Sequence, residues 1–257
     1  MTDPSPRRRV LVTGGSRGIG AAICRRLAAR GDRLAIHCRA DVATAQRLRD
    51  ELDDDSHLVV SADLTIPENA VQLVDDVVTG LGGIDVLVHN AGIFVYHPIA
   101  DTSFDEWLAT WRRTLDVNLV AGAALVHRVA HHLIHRPAGP AGGRFVMVGS
   151  RGAYRGEPDA PAYGASKAGL HSMAQSLAVS LAPHGIGVAA VAPGFIHTDM
   201  ATESLAGPRG DAIRAQSPFG RVGEPDEVAA AVEWLAAPES IWSTGTVIDV
   251  NGASYLR

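Results

Sequence analysis

TGGSRGIG, residues 13–20, places Gly14, Gly15, Gly18 and Gly20 between an apolar run, VLV at 10–12, and an amphipathic one, GIGAAICRRLAARG at 18–31. The first run reads as a strand. In the second, Ile19, Ile23 and Leu27 recur at helical spacing and Gly31 is a stop signal. A glycine-rich turn between strand and helix lets the backbone approach a pyrophosphate, and the helix N-terminus offers N–H groups and the positive end of its dipole. A merely tight strand–helix connection would also need glycines, so the turn alone leaves both readings open.

Outward from this turn the pattern repeats. RLAIHC (33–38), HLVVSADL (57–64), IDVLVHNAG (84–92), GRFVMVGS (143–150), IGVAAVAPG (186–194) and TVIDVNG (246–252) predict further strands. Helical periodicity falls between them, at 41–52, 67–82, 103–135 (halted by Pro137), 161–182 and 225–237. Strands apolar along nearly their whole length, alternating with helices, predict an α/β fold with a parallel sheet covered on both faces. No repeat, low-complexity tract or linker divides the chain, so one domain over residues 1–257 is expected; PAGPAGG (137–143) reads as a helix-to-strand turn. The sole long irregular region, 195–222, is of the kind that is usually functional.

A formal charge of −5 argues against a nucleic-acid surface as the main function. Cys24 and Cys38 lack CxxC spacing and suit buried thiols in a reducing compartment. MTDPSPRRRV has no apolar run after its arginines, so no signal peptide is expected. No stretch approaches the roughly 20 apolar residues of a membrane span, and the sequence predicts a cytoplasmic protein with no membrane or nucleic-acid partner.

The turn's spacing, Thr-Gly-x-x-x-Gly-x-Gly at Thr13–Gly20, resembles that of the short-chain dehydrogenase/reductase family. The resemblance runs over nearly the whole chain: Asn90-Ala91-Gly92 at the fourth strand's end, Asn118 in DVNL, Ser150 thirteen residues before Tyr163, Lys167 four after it, Pro193-Gly194, and Thr198. It implies a Rossmann-type doubly wound parallel sheet of about seven strands. It also implies an enzyme acting on CH–OH/C=O groups with NAD(P), whose catalytic group is Asn118, Ser150, Tyr163 and Lys167. PFGRVGEPDEVA and VIDVNGASY look most like the 3-oxoacyl-(acyl-carrier-protein) reductase branch.

The residue types suit that chemistry. Reduction of a carbonyl needs a proton donor at the oxygen, and free tyrosine, with a pKa of about 10, is a poor base at neutral pH. A lysine one helical turn away favours the tyrosinate, so Tyr163 would exchange the proton while Lys167 lowers its pKa. Ser150 would hydrogen-bond the substrate oxygen. By resemblance Lys167 also holds the nicotinamide ribose, and Asn118 shapes a water site in a proton relay. The small Gly164 and Ala165 would leave room for that ribose.

The resemblance places Gly14, Ser16, Arg17, Gly18, Ile19, Gly20, Arg39, Asp63, Leu64, Asn90, Ala91, Gly92, Pro193, Gly194, Ile196 and Thr198 against the cofactor, with Tyr163 and Lys167. Cys38 stands where an NAD-selecting carboxylate is usual, followed by Arg39; with Arg17 this favours NADP(H) over NAD(H). Asp41 is the counter-argument, since a small shift would bring it to the ribose. The substrate pocket is expected from Phe94, Tyr96 and His97, from Arg151 and Tyr154, and from the 195–219 loop. Arg151, Arg155 or Arg209 would meet an acidic substrate tail.

His127, His131 and His135, with His132, make a helical stripe better read as solvated or subunit-facing than as a metal site, and no metal is expected. Trp107 and Trp111 read as packing residues, Asp53–Asp55 as a solvated loop, and Arg7–Arg9 as a solvated start of a strand. The family's helix pairing implies an oligomer, a homotetramer or dimer. The favoured reading is NADPH-dependent reduction of a ketone, either a 3-oxoacyl thioester or another small carbonyl, with docking of an acyl carrier protein left open. The alternatives are an NAD-dependent dehydrogenase of a sugar, polyol or steroid alcohol, and a dinucleotide-sensing binding protein without catalysis. The intact Ser–Tyr–Lys group speaks against the last.

Overall fold

Alternation along β1 (Arg9–Thr13) sets the layering, because successive strand side chains point to opposite faces. Val10 and Val12 pack with α1 (Gly18–Ala29), α2 (Val42–Glu51) and α9 (Pro225–Ala236), whereas Leu11 packs with α3 (Asn69–Leu81), α5 (Ala121–His135) and α7 (Pro161–Leu181). The computed structural model describes residues 7–52, 56–202 and 204–257; the Asp53–Asp55 segment and residues 1–6 lie outside them. Among the described residues, seven parallel strands form one sheet in the order β3-β2-β1-β4-β5-β6-β7. The others are β2 (Arg33–Cys38), β3 (Leu58–Ser61), β4 (Val86–His89), β5 (Arg144–Val148), β6 (Gly187–Pro193) and β7 (Val247–Val250), and a one-turn helix, α6 (Gly152–Arg155), follows β5. The chain reverses its direction of winding between β1 and β4, and the crevice at the strands' carboxyl ends there is where open α/β sheets bind ligands. The doubly wound fold is thus as expected.

The predicted helix at 103–135 is one helical run with a defect. Ser103 caps it in a capping box with Glu106, and α4 (Phe104–Leu115) joins α5 through a π-helical segment, Asp116–Val120, centred on Asn118. This run is, by length and composition, long and apolar enough to cross a membrane, which corrects the expectation that no such stretch exists. Half of its most apolar window is buried in the fold, where Leu125, Val129 and Leu133 pack beneath the sheet.

Two further expectations change. The irregular 195–222 region carries a 3-10 turn at Asp199–Ala201 and a short helix, α8 (Gly207–Arg214), and closes on itself through the Ile196–Gly223 bridge. Arg8 and Arg9 are not simply solvated. Arg8 binds Asp32 through Nε and Nη2 at 2.9 and 2.6 Å, and Arg9 binds Asp85 at 2.8 and 2.9 Å. Burial would raise the Asp85 carboxyl, but hydrogen bonds from Arg9 and Arg136 outweigh it and hold the pKa at about 2.

Candidate active site

The glycine-rich turn is built on backbone that other residues disfavour. Gly14 (φ +60°) and Gly18 (φ +53°) occupy the left-handed region. At Gly20 a Cβ would stand 2.1 Å from the Gly14 carbonyl oxygen, so the turn folds directly onto the start of α1. Thr13 and Asn90 stitch this turn to β4. Thr13 Oγ1 accepts from the Asn90 and Ala91 amides, each at 3.0 Å, and the Asn90 side chain donates to the carbonyls of Thr13 (3.0 Å) and Gly14 (2.9 Å). A second tie comes from His37, 2% exposed on β2. Its Nδ1 accepts the Gly14 amide at 3.0 Å and its Nε2 donates to the Ala62 carbonyl at 3.0 Å. Burial lowers its pKa, so the ring is neutral and this pattern fixes the tautomer.

Tyr163 and Lys167 leave the same face of α7, with Pro161 in its first turn. The Ser150 hydroxyl is near enough to Tyr163 to oppose the rise of its pKa, and Phe94 packs edge-on against the Tyr163 ring at 5.1 Å between centroids. Ser150 Oγ accepts the Gly152 amide at 3.0 Å, which leaves its own hydrogen to donate. The Lys167 ammonium donates to the Val148 carbonyl at 2.8 Å. Protein groups do not lower the Tyr163 pKa as the sequence led us to expect. Burial pushes it up to about 12 against the opposing Ser150 hydrogen bond, and burial draws Lys167 down to about 8.

Asn118 does not border the cavity but lies behind it, fully buried. Its Oδ1 accepts the Ile93 amide at 2.8 Å, and its Nδ2 donates to the Ile93 carbonyl and to Ser166 Oγ, both at 3.0 Å. Ser166 in turn donates to the Tyr163 carbonyl at 2.7 Å. The bend at the π-helical segment and the polar role therefore coincide at Asn118, as they often do at functional sites. Gly92 separates Asn118 from Lys167: a Cβ there would lie 3.3 Å from both Oδ1 and Nζ.

A cavity of about 780 Å³ runs from this cluster along the carboxyl ends of the strands. It is bordered by Ser150, Tyr163 and Lys167 and by every residue expected at the cofactor: Gly14, Ser16, Arg17, Gly18, Ile19, Gly20, Arg39, Asp63, Leu64, Asn90, Ala91, Gly92, Pro193, Gly194, Ile196 and Thr198. The donor set fits a dinucleotide. Backbone amides and a helix N-terminus stand at one end, and Gly18 brings the turn so close to Thr198 that a Cβ would lie 3.2 Å from Cγ2. At the end of β2 Cys38 is buried, while Arg39 and Arg17 border the opening. Asp41 is occupied as the N-cap of α2, accepting from the Thr44 amide (3.0 Å) and hydroxyl (2.7 Å).

The substrate side departs further from expectation. Phe94, Arg151, Phe195 and Met200 border the cavity. Tyr96 instead lies 57% exposed under Arg209, and His97 is buried beside Trp107, with its Nδ1 on the Val95 carbonyl at 2.8 Å. Tyr154 stacks on His171 and accepts from Arg257 at 2.9 Å. The three arginines expected to meet an acidic tail are engaged within the protein. Arg151 donates to Gln216 Oε1 at 2.5 Å and covers the Phe195 ring, Arg155 shares the same oxygen, and Arg209 lies 3.6 Å from Asp159. Gly164 faces the Gly152 carbonyl, 3.2 Å from where its Cβ would be, so its small size serves packing rather than a ribose.

Sequence reading missed four residues here: His37, Ser166, Arg113, which joins the cavity wall from α4 and acts on Asp63, and Glu157, which borders it beside Tyr163. Only Ser166 carried a signal, since position 166 precedes Lys167 in the motif. The histidine stripe stacks, with centroids 6.3 Å apart for His127 and His131 and 4.1 Å for His131 and His135. Among the described residues no group of three or more His, Cys, Asp or Glu is arranged to hold a metal ion.

The chain is similar to known proteins along nearly its whole length. A family model described as enoyl-(acyl carrier protein) reductase matches residues 14–253. The chain is 36% identical over 246 residues to the 3-oxoacyl-(acyl-carrier-protein) reductase FabG of Vibrio cholerae serotype O1, covering 96% of each. It is 34% identical over 259 residues to 3beta-hydroxysteroid dehydrogenase 1 of Eggerthella lenta, covering 100% of this chain and 97% of the relative. Among solved structures, a short-chain dehydrogenase from Burkholderia cenocepacia J2315 in complex with NADP is 38% identical with a TM-score of 0.85, covering 96% of this chain and 97% of that one.

Proposed function

The chain belongs to the short-chain dehydrogenase/reductase family, and we propose that it uses NADPH to reduce a ketone to a secondary alcohol. It is an NAD(P)-dependent oxidoreductase acting on CH–OH and C=O groups. The observation that carries the reading is that Ser150, Tyr163 and Lys167 meet on the wall of the same cavity that the glycine-rich turn borders. Burial raises the Tyr163 pKa and so keeps the phenol in the protonated form that a reduction starts from.

Bound NADPH supplies the hydride to the carbonyl carbon. The ketone oxygen takes up hydrogen bonds from Ser150 and Tyr163, which orient it and stabilise its developing charge. Tyr163 then passes its proton to that oxygen. Lys167, one turn along the helix, stabilises the tyrosinate left behind until the phenol takes up a proton again from the solvent-filled cavity. Phe94 and Phe195 exclude water from the reacting face.

The preference for NADPH rests on Arg17 and Arg39 at the cavity mouth, a buried Cys38 where a carboxylate would select NAD, and an Asp41 already spent as a helix cap. The 195–222 region forms the substrate side. We further read the protein as a cytoplasmic homotetramer, on family resemblance. Rates of NADPH and NADH oxidation with a panel of cyclic ketones and acetoacetyl thioesters test the reading; turnover with NADH equal to or better than with NADPH would overturn the cofactor preference.

A further inference from the structure

Glu157 carries a carboxylate into the reaction chamber, where the mechanism does not use it. It borders the same cavity as Ser150 and Tyr163. Two glycines make its place: a Cβ at Gly152 would stand 2.5 Å from Glu157 Oε1, and one at Gly164 would lie 3.8 Å from Glu157 Cβ. The side chain is thus laid against the residue whose amide binds Ser150 and against the turn of α7 that bears Tyr163. Burial raises its pKa against the opposing charges of Arg151, Arg155 and Arg209, and its own charge acts on Tyr163.

Among the described residues nothing hydrogen-bonds or ion-pairs with this carboxylate. The nearby cations are committed elsewhere: Arg151 and Arg155 to Gln216, and Arg209 to Asp159 and the Tyr96 ring. Burial strips part of the water from this carboxylate, and a ligand hydroxyl that donates to it replaces the water that remains. A simple 3-oxoacyl group brings no donor near its ketone to meet this carboxylate.

Resting on the reductase reading above, we propose that Glu157 determines specificity by accepting a hydrogen bond from a hydroxyl of the substrate, so that the natural substrate is an uncharged hydroxylated ketone. A site built to bind a hydroxyl rejects the analogue that lacks it, because the polar group is then left unpaired.

The test compares cyclohexanone with 2-, 3- and 4-hydroxycyclohexanone as NADPH-dependent substrates of the full-length protein and of Glu157→Gln and Glu157→Leu. The readout is the ratio of kcat/KM for each hydroxyketone to that for cyclohexanone, which does not depend on the folded fraction. The ratio for at least one hydroxyketone should exceed about tenfold in the wild type, fall about tenfold in Glu157→Leu and recover in part in Glu157→Gln, whose amide oxygen still accepts. Ratios near one in the wild type, or ratios unchanged in Glu157→Leu, would overturn the assignment while leaving the reductase reading intact. No reduction of any of the four ketones would overturn that reading and the assignment with it.

Discussion

The Lys167 ammonium lies 5.8 Å from the centre of the Tyr163 ring and spends its hydrogen bond on the Val148 carbonyl at 2.8 Å. The lysine is therefore fixed to β5, the strand whose end carries Ser150, and not to the phenol itself. The three groups share one rigid frame formed by β5 and α7, which suits chemistry that tolerates little misplacement.

Replacing the phenol isolates its role. Tyr163→Phe keeps the ring and its contact with Phe94 but removes the proton donor and the partner of Ser150. Ketone reduction should fall by about 10²–10⁴-fold, the range general acids supply. NADPH affinity, followed by quenching of protein fluorescence, should stay within a few-fold. Undiminished turnover would show that the proton comes from elsewhere.

Lys167 predicts the alkaline side of the pH profile. Burial brings its pKa from 10.5 down to about 8, so the ammonium that supports tyrosinate and cofactor is lost as pH rises through that value. The kcat/KM for NADPH, which reports groups of the free enzyme, should be level below pH 8 and decline above it. In Lys167→Arg, whose guanidinium stays charged, the decline should move above pH 10 even if the maximum is lower. A decline at the same pH in both proteins would assign it to another group.

These relationships show what could be read from residues alone. The sheet, its order of helices and the spacing of Ser150, Tyr163 and Lys167 depend on local apolar periodicity and short turns, which sequence records directly. The border of the dinucleotide cavity was legible for the same reason, since it lies at strand ends. The substrate side was not. Whether His97 or Tyr154 turns inward depends on distant partners, Ala162 and Trp107 for the one and His171 and Arg257 for the other. The Tyr163 pKa was misjudged because the cost of burial belongs to the assembled core and not to the helix that carries the pair.

His37 is expected to position the cofactor. Its ring joins the Gly14 amide of the glycine-rich turn to the Ala62 carbonyl ahead of Asp63 and Leu64. His37→Ala would leave both backbone groups without that partner, at a cost of about 1–3 kcal/mol if it falls on cofactor binding. The Kd for NADPH should rise about tenfold or more, and KM for NADPH with it, while kcat changes much less. His37→Gln, whose amide can keep one of the two hydrogen bonds, should fall between. A loss confined to kcat would contradict a positioning role.

Buried histidines predict how the fold responds to acid. The His89 ring is 0% exposed and its pKa is lowered by burial to about 3, and the His171 ring, sealed behind Gly149, is lowered by burial to about 4. Below an ordinary value of about 6.5 the unfolded chain takes up these protons while the folded protein does not. Stability is therefore fully present above pH 6.5 and falls as pH drops from there toward 4, by about 1.4 kcal/mol per pH unit for each histidine. Urea unfolding midpoints at pH 7, 6 and 5 measure the slope. His171→Leu removes one of these groups and should flatten the slope by about one proton's share, even if the variant is less stable at pH 7. An identical slope in the variant would mean that His171 titrates in the folded state as it does in the unfolded chain, and that its burial is looser than its packing against Gly149 and Tyr154 implies.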